Sequence, residues 1–169
     1  LIEELKTNDK LIKYLDIPIQ HCNGEILSKM NRWGDKERLA ELISHIRAKV
    51  PGIILRTTLI TGFPSETKEQ FNELAEFVQE QRFDRLGCFA YSQEEGTRAA
   101  EFEDQVEESV RSHRADIIME QQMFVSAENN EKLMDKELVA VVEGFDKFGE
   151  CYFGRTEMDA PDIDGKVFF

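Results

Sequence analysis

Long apolar runs, paired cysteines and clusters of basic residues are all scarce in these 169 residues. No stretch approaches the roughly eighteen consecutive apolar residues that a membrane-crossing helix needs. Nor does a positively charged start precede a short apolar run in the manner of a secretory leader, so the expected setting is cytoplasmic, with no membrane partner. Cys22, Cys88 and Cys151 are odd in number and more than sixty residues apart. That spacing offers neither a disulfide framework nor a C-x-x-C metal site, and reduced structural thiols are the simplest reading. Low-complexity segments are also missing, as is any repeat beyond an alternation of strands and helices.

Basic charge runs short in one place above all. The net charge is −13, and residues 101–169 hold seven Lys or Arg against eighteen Asp or Glu, whereas residues 1–50 are nearly balanced at nine against eight. A surface that grips phosphates needs clustered Lys and Arg to release counterions. The last third is therefore poorly suited to nucleic acid and better suited to a basic protein partner.

What is present reads as an α/β chain followed by a run of strands. The apolar segments 14–20, 53–62 and 85–92 are expected as strands, continuous enough in hydrophobicity for burial on both faces. Between them, helical periodicity covers 25–32, 36–50, with Leu39, Leu42, Ile43 and Ile46 on one face, and 67–81, with Phe71, Leu74, Ala75 and Val78 on one face. Pro51 and Gly52 stop the second of these helices, and a Thr67-x-x-Gln70 capping box starts the third. Strand, helix and strand recurring in this way predict parallel strands joined by right-handed crossovers, in an open sheet or a barrel. A long helix over about 105–133 follows, with Val110, Ile117, Phe124 and Val125 expected to be buried. From Glu137 onward three strand-like runs separated by the turns DKFG and DIDG begin a small β unit. Both ends are expected to be cuts, because Leu1 opens within a helical pattern and Phe169 closes within a strand-like one.

In parallel α/β folds ligands sit at the carboxyl ends of strands, and all three strand ends are unusual. The first runs into Gln20-His21-Cys22-Asn23, where a metal or nucleophile pair at His21 and Cys22 is disfavoured because neighbours on a strand face opposite ways. The second ends Ile60-Thr61-Gly62-Phe63-Pro64-Ser65-Glu66-Thr67, a turn feeding a helix amino terminus. Its free N–H groups could hold an anion, or Gly62 and Pro64 could simply shape the turn. Arg56 lies inside that strand and needs a partner, either a ligand carboxylate or a protein acid. The third ends with Tyr91 and Ser92, where the ring could stack on a purine or merely occupy a rim. Glu94 and Glu95 beyond them read equally well as a solvated loop.

Taken in order and spacing, LDIPIQHCN, the M-x-R of Met30 to Arg32, LRTTLITGFPSET, FDRLGCFAYSQEEGT and GRTEMDAPDIDGKVFF resemble the RimO branch of the radical S-adenosylmethionine methylthiotransferases. The resemblance covers essentially the whole chain. It implies the C-terminal part of a (βα)6 partial TIM-like barrel with its closing helix over 1–135, then the start of an all-β TRAM domain over 136–169. It implies a full-length transferase with S-adenosylmethionine and two [4Fe–4S] clusters, adding a methylthio group to an aspartate β-carbon of ribosomal protein S twelve. Carried over by position, Gln20 and Arg56 would line the S-adenosylmethionine pocket. Ile60, Gly62 and Glu66 would form the turn packing on its adenosine, and Tyr91 and Ser92 would supply last-strand contacts. The cluster-binding C-x-x-x-C-x-x-C triad is absent, so no residue here is expected to be catalytic or metal-binding and this stretch alone should be inactive. Arg98 stands where the family commonly has proline. The alternatives are the sister tRNA adenosine methylthiotransferases of MiaB type, and a non-catalytic protein-binding segment.

Overall fold

The computed structural model describes residues 1–169. Its first unit is a three-stranded parallel sheet of order β1-β2-β3, formed by Tyr14–Asp16, Ile54–Thr61 and Arg85–Ala90. Helices α1 (Ile2–Thr7), α2 (Gly24–Lys29), α3 (Lys36–Lys49) and α4 (Lys68–Gln81) surround it, and α5 (Glu108–Glu131) closes it. The strand expected over 14–20 is broken after Asp16. Pro18 has no N–H to give the ladder, and pairing resumes only at Gln20, bridged in parallel to Leu59. Helix α4 starts at the expected capping box, with Gln70 N–H donating to Thr67 Oγ1 and Thr67 N–H to the Gln70 side chain.

The core lies between one face of this sheet and the helices. Leu39, Ile43 and Ile46 of α3 and Leu74, Phe77 and Val78 of α4 join Leu55 and Leu59 of β2, Leu86 of β3 and Ile118 of α5 in one cluster. Each such side chain, removed from water, contributes roughly 1.5–3 kcal/mol. Leu42 and Ala75, expected on these faces, pack at the margin of the cluster.

Two expectations about burial are corrected. Strand β2 is not buried on both faces. Leu55, Thr57, Leu59 and Thr61 are buried, while Ile54, Arg56, Thr58 and Ile60 between them are only partly covered. The second set is the more open face, and its Arg and Thr already carry the polarity of a half-open surface. In α5 the buried residues are Ala115, Ile118, Gln122 and Val125, whereas Val110 and Phe124 are exposed and Ile117 packs at the edge. A polar residue holds the centre of this contact, because Gln122 Nε2 donates to the Phe83 carbonyl at 3.0 Å. Choosing the apolar residues therefore selects a rotated face.

The second unit is an antiparallel sheet, β4 (Val141–Asp146), β5 (Cys151–Arg155) and β6 (Val167–Phe168), with a bulge between Val142 and Gly144. Its connection from Thr156 to Gly165 folds back against the first unit, where Tyr14 and Arg85 bond to Asp164 and Asp159.

Candidate functional site

A cavity of about 620 Å³ opens at the carboxyl ends of the parallel strands. Each strand end supplies part of its wall: Gln20 beyond β1, Ile60 near the end of β2, and Tyr91 just past β3. Phe63 and Phe102 complete an apolar side, with Phe63 edge-on to both Tyr91 (centroids 5.3 Å apart) and Phe102 (6.2 Å). The Tyr91 hydroxyl is buried here without a partner. Gln20 adopts a left-handed backbone at φ 70°, as does Asn31, also in the wall, at φ 57°. Non-glycine residues held in that region cost energy and concentrate at functional sites.

Of the seven residues singled out from the sequence, Gln20, Ile60 and Tyr91 meet at this cavity. Ser92 lies beyond it, exposed, with its hydroxyl donating to Glu94 Oε1 at 2.7 Å. Gly62 and Glu66 sit behind the wall. At φ +70°, Gly62 backs onto α5 so closely that a Cβ would lie 2.9 Å from Arg111 Cα, and closer still to its side-chain carbons. Helix α5 is tied to the same turn by Thr61 Oγ1 donating to the Arg111 carbonyl (3.1 Å) and Arg111 Nη1 donating to the Tyr91 carbonyl (2.7 Å).

The Glu66 side chain is wholly buried and meets three segments at once. Its Oε2 accepts the Gly62 N–H at 2.8 Å, its Oε1 accepts Arg114 Nη1 at 2.6 Å, and His21 Nε2 stands 3.4 Å from Oε2. The His21 Nδ1 accepts the Asn23 N–H at 2.9 Å. The buried His21 Nε2 has no hydrogen-bond partner of its own. Glu66 thus ties the β2 turn to α5, with the His21 imidazole packed beside it but not bonded, and reaches the cavity only through the elements it positions.

Arg56 lies about 13 Å from Ile60 along β2, toward the amino ends of the strands. Its Nη1 meets Asp16 Oδ2 at 2.7 Å and Thr58 Oγ1 at 3.2 Å, and its Nε stands 3.8 Å from Asp164 Oδ1. Of the two partners the sequence left open, protein acids hold it. Asp164 also accepts the Tyr14 hydroxyl (2.6 Å) and the Ala160 N–H (2.8 Å). Burial, then the Asp164 bond and charge, push the Tyr14 phenol well above its ordinary value. Asp159 accepts Arg85 Nη2 at 2.7 Å and the Thr156 N–H and hydroxyl. Burial works to raise its carboxyl, yet these bonds outweigh burial and hold it below the usual carboxylate range.

Nothing in this arrangement suits an iron–sulfur cluster. Cys22 is in the core, Cys88 is partly covered, and Cys151 lies on β5. No three His, Cys, Asp or Glu side chains converge as metal ligands. Burial pushes the Cys88 thiol up to about 12, and the Cys22 thiol higher still, which disfavours the thiolates that clusters require. The cavity suits a mixed apolar and polar organic ligand better, with an aromatic wall, an unpartnered hydroxyl and the Gln20 amide.

Nine of the twelve wall residues were not among those singled out from the sequence, with Phe63, Phe102, Lys29, Arg32 and Arg98 the most informative of them. Phe63 could have been found, since it sits inside the Gly62 turn. Met30 to Arg32 stood out as a motif with no role attached. Phe102 carried no signal, because only the chain reversal after Gly96 brings it back over β2.

No family model matches the chain. Among curated proteins, it is 44% identical over 99% of its length to the ribosomal protein uS12 methylthiotransferase RimO of Thermoanaerobacter sp. (strain X514). It is 48% identical over its full length to the protein of the same name in Clostridium novyi (strain NT), and 47% identical over 99% to that of Geotalea uraniireducens (strain Rf4). The chain spans 38% of the length of each of these relatives. Among solved structures, coproporphyrinogen III oxidase (HemN) of Escherichia coli, described as a radical SAM enzyme, matches 69% of this chain and 26% of its own. The TM-score is 0.51 at 24% identity, a likeness of fold.

Proposed function

We propose that this chain, a member of the RimO methylthiotransferase family over the segment it spans, forms the S-adenosylmethionine-binding wall of an enzyme that methylthiolates ribosomal protein uS12. The observation that carries this reading is the match from end to end with RimO proteins at 44–48% identity. The geometry supports it, since residues of three separate motifs, Gln20, Ile60 and Tyr91, face one cavity at the carboxyl ends of parallel strands. There Tyr91 and Phe63 offer rings to a purine, Ile60 offers an apolar contact, and the Gln20 amide offers hydrogen bonds to a ribose or an amino-acid end.

When bound, S-adenosylmethionine would supply the hydrogen-abstracting radical and the methyl group. The [4Fe–4S] clusters of such an enzyme, two on the family pattern, would need ligands outside these residues. Gly62 and Glu66 act from behind the wall, keeping the β2 turn against α5 so that Ile60 and Tyr91 hold their places. Arg56 serves instead at the opposite ends of the strands, and Ser92 borders the outer rim. The antiparallel β4-β5-β6 unit fits the opening of a TRAM domain. Its acidity fits docking of a basic ribosomal protein in the cytoplasm better than docking of tRNA.

The test uses the full-length protein with its clusters reconstituted anaerobically, and measures S-adenosylmethionine binding by equilibrium dialysis. Ile60→Asp and Tyr91→Ala should weaken binding at least about tenfold, the loss of roughly 1.4 kcal/mol. Wild-type affinity in both would place the ligand elsewhere.

A further inference from the structure

The charge of the cavity wall runs against that of the chain. Acids outnumber bases 34 to 21 overall, yet the wall contains Lys29, Arg32 and Arg98 and not one Asp or Glu. None of the three forms an ion pair within the chain. Lys29 donates to Ser65 Oγ and Arg32 Nη2 donates to the Pro18 carbonyl. Those contacts hold the two stems in place without neutralising either charge. Arg98 heads the short 3-10 turn Arg98–Glu101, which is braced by Thr97 Oγ1 accepting the Ala100 N–H and by Gln93 and Gln105 donating to the Ala100 and Ala99 carbonyls.

The backbone at this rim is also held in an uncommon state. Gln20, Asn31 and Ser65 all have positive φ, at 70°, 57° and 69°. Gln20 and Asn31 line the cavity, and Ser65 anchors the Lys29 ammonium. Three like charges gathered in one wall repel one another, and left-handed backbone adds cost. A ligand group of opposite sign offsets the repulsion.

We propose that Lys29, Arg32 and Arg98 form a carboxylate-receiving rim on this cavity, an inference that rests on the functional reading above. The carboxylate has two sources, the amino-acid end of S-adenosylmethionine and an acidic side chain of the protein substrate. Because the sulfonium and ammonium groups give S-adenosylmethionine a net positive charge, its carboxylate is the only part that three cations attract. Arg98 is the residue to vary. Its side chain has no hydrogen-bond or ionic partner and it is exposed, so Arg98→Gln and Arg98→Glu leave the fold in place, whereas changing Arg32 would also release Pro18.

The experiment measures binding by the reconstituted full-length protein, with four probes and no turnover. The probes are S-adenosylmethionine, its decarboxylated analogue, and two uS12-derived peptides carrying an aspartate or an asparagine at one position. Arg98→Glu should weaken the carboxylate-bearing member of one pair about tenfold or more, as expected for loss of a charged hydrogen bond, and should not weaken the partner that lacks the carboxylate. Arg98→Gln should give a smaller loss and Arg98→Lys should recover most of it. Loss confined to the first pair assigns the rim to the cosubstrate, and loss confined to the second assigns it to the protein substrate. Equal losses with and without the carboxylate, or none on either pair, overturn the rim while leaving the functional reading intact. A wild-type protein that binds no S-adenosylmethionine overturns the functional reading, and the rim with it.

Discussion

Removing the Glu66 carboxylate should be among the most damaging single changes in this chain. Its oxygens bond Arg114 Nη1 at 2.6 Å and the Gly62 N–H at 2.8 Å, with no side-chain exposure. In Glu66→Ala, Arg114, only 11% exposed, would keep the Glu66 carbonyl (3.1 Å) and the Phe71 ring (5.3 Å) but lose its counter-charge. Breaking a buried pair from one side costs about 3–5 kcal/mol, and an unsatisfied buried N–H about 1–3 kcal/mol. The two losses overlap, so about 4 kcal/mol is expected, a large part of the roughly 5–15 kcal/mol that holds a domain together. Glu66→Gln keeps an acceptor for Gly62 and should cost about half as much. Adding Arg114→Met to Glu66→Ala should return part of the loss, because no charge is then left unpaired. Urea unfolding followed by circular dichroism, with an unchanged slope, reads these differences. A cost under about 1 kcal/mol for Glu66→Ala, or equal costs for Ala and Gln, would refute the view of Glu66 as the charged hub behind the cavity.

Gly62→Ala should destabilise by about 3 kcal/mol, since the left-handed backbone and the approach to Arg111 each add a penalty; a neutral effect in urea would show that α5 yields freely. Asp159→Asn should lower stability at neutral pH. Because the folded-state carboxyl lies below its unfolded value of about 3.9, the contribution is full above that pH and is lost as pH falls through the folded value. The gap between wild type and variant in thermal melts should therefore close as pH falls below the ordinary carboxylate range, and a gap that widens on acidification would reverse the assignment. Cys88, its thiol pushed up to about 12, should alkylate at pH 8 about a thousandfold more slowly than an ordinary thiol. Peptide mapping after iodoacetamide treatment checks this, and rapid native-state labelling of Cys88 would contradict the raised thiol.

The alternation of strand and helix, the Thr67 capping box and the Pro51-Gly52 stop were all legible in the sequence, because each is a local pattern with a local cause. So were three strand-end residues of the cavity, since the parallel topology dictates where strand ends gather. Other features depend on distant partners. Arg56 reads as a ligand-binding arginine until Asp164, more than a hundred residues away, folds back beside it. Glu66 reads as part of a ligand-facing turn until α5 brings Arg114 behind it. The buried face of α5 is centred on Gln122, whose partner is the Phe83 carbonyl. A search for apolar periodicity passes over such a residue.

The deciding measurement is mass spectrometry of uS12 after anaerobic incubation with the reconstituted full-length protein, S-adenosylmethionine, a reductant and a sulfur source. One methylthio group in place of hydrogen is expected on an acidic residue of uS12, strongly reduced in Tyr91→Ala. Unmodified uS12 alongside methylthiolated tRNA adenosine would contradict the proposed function.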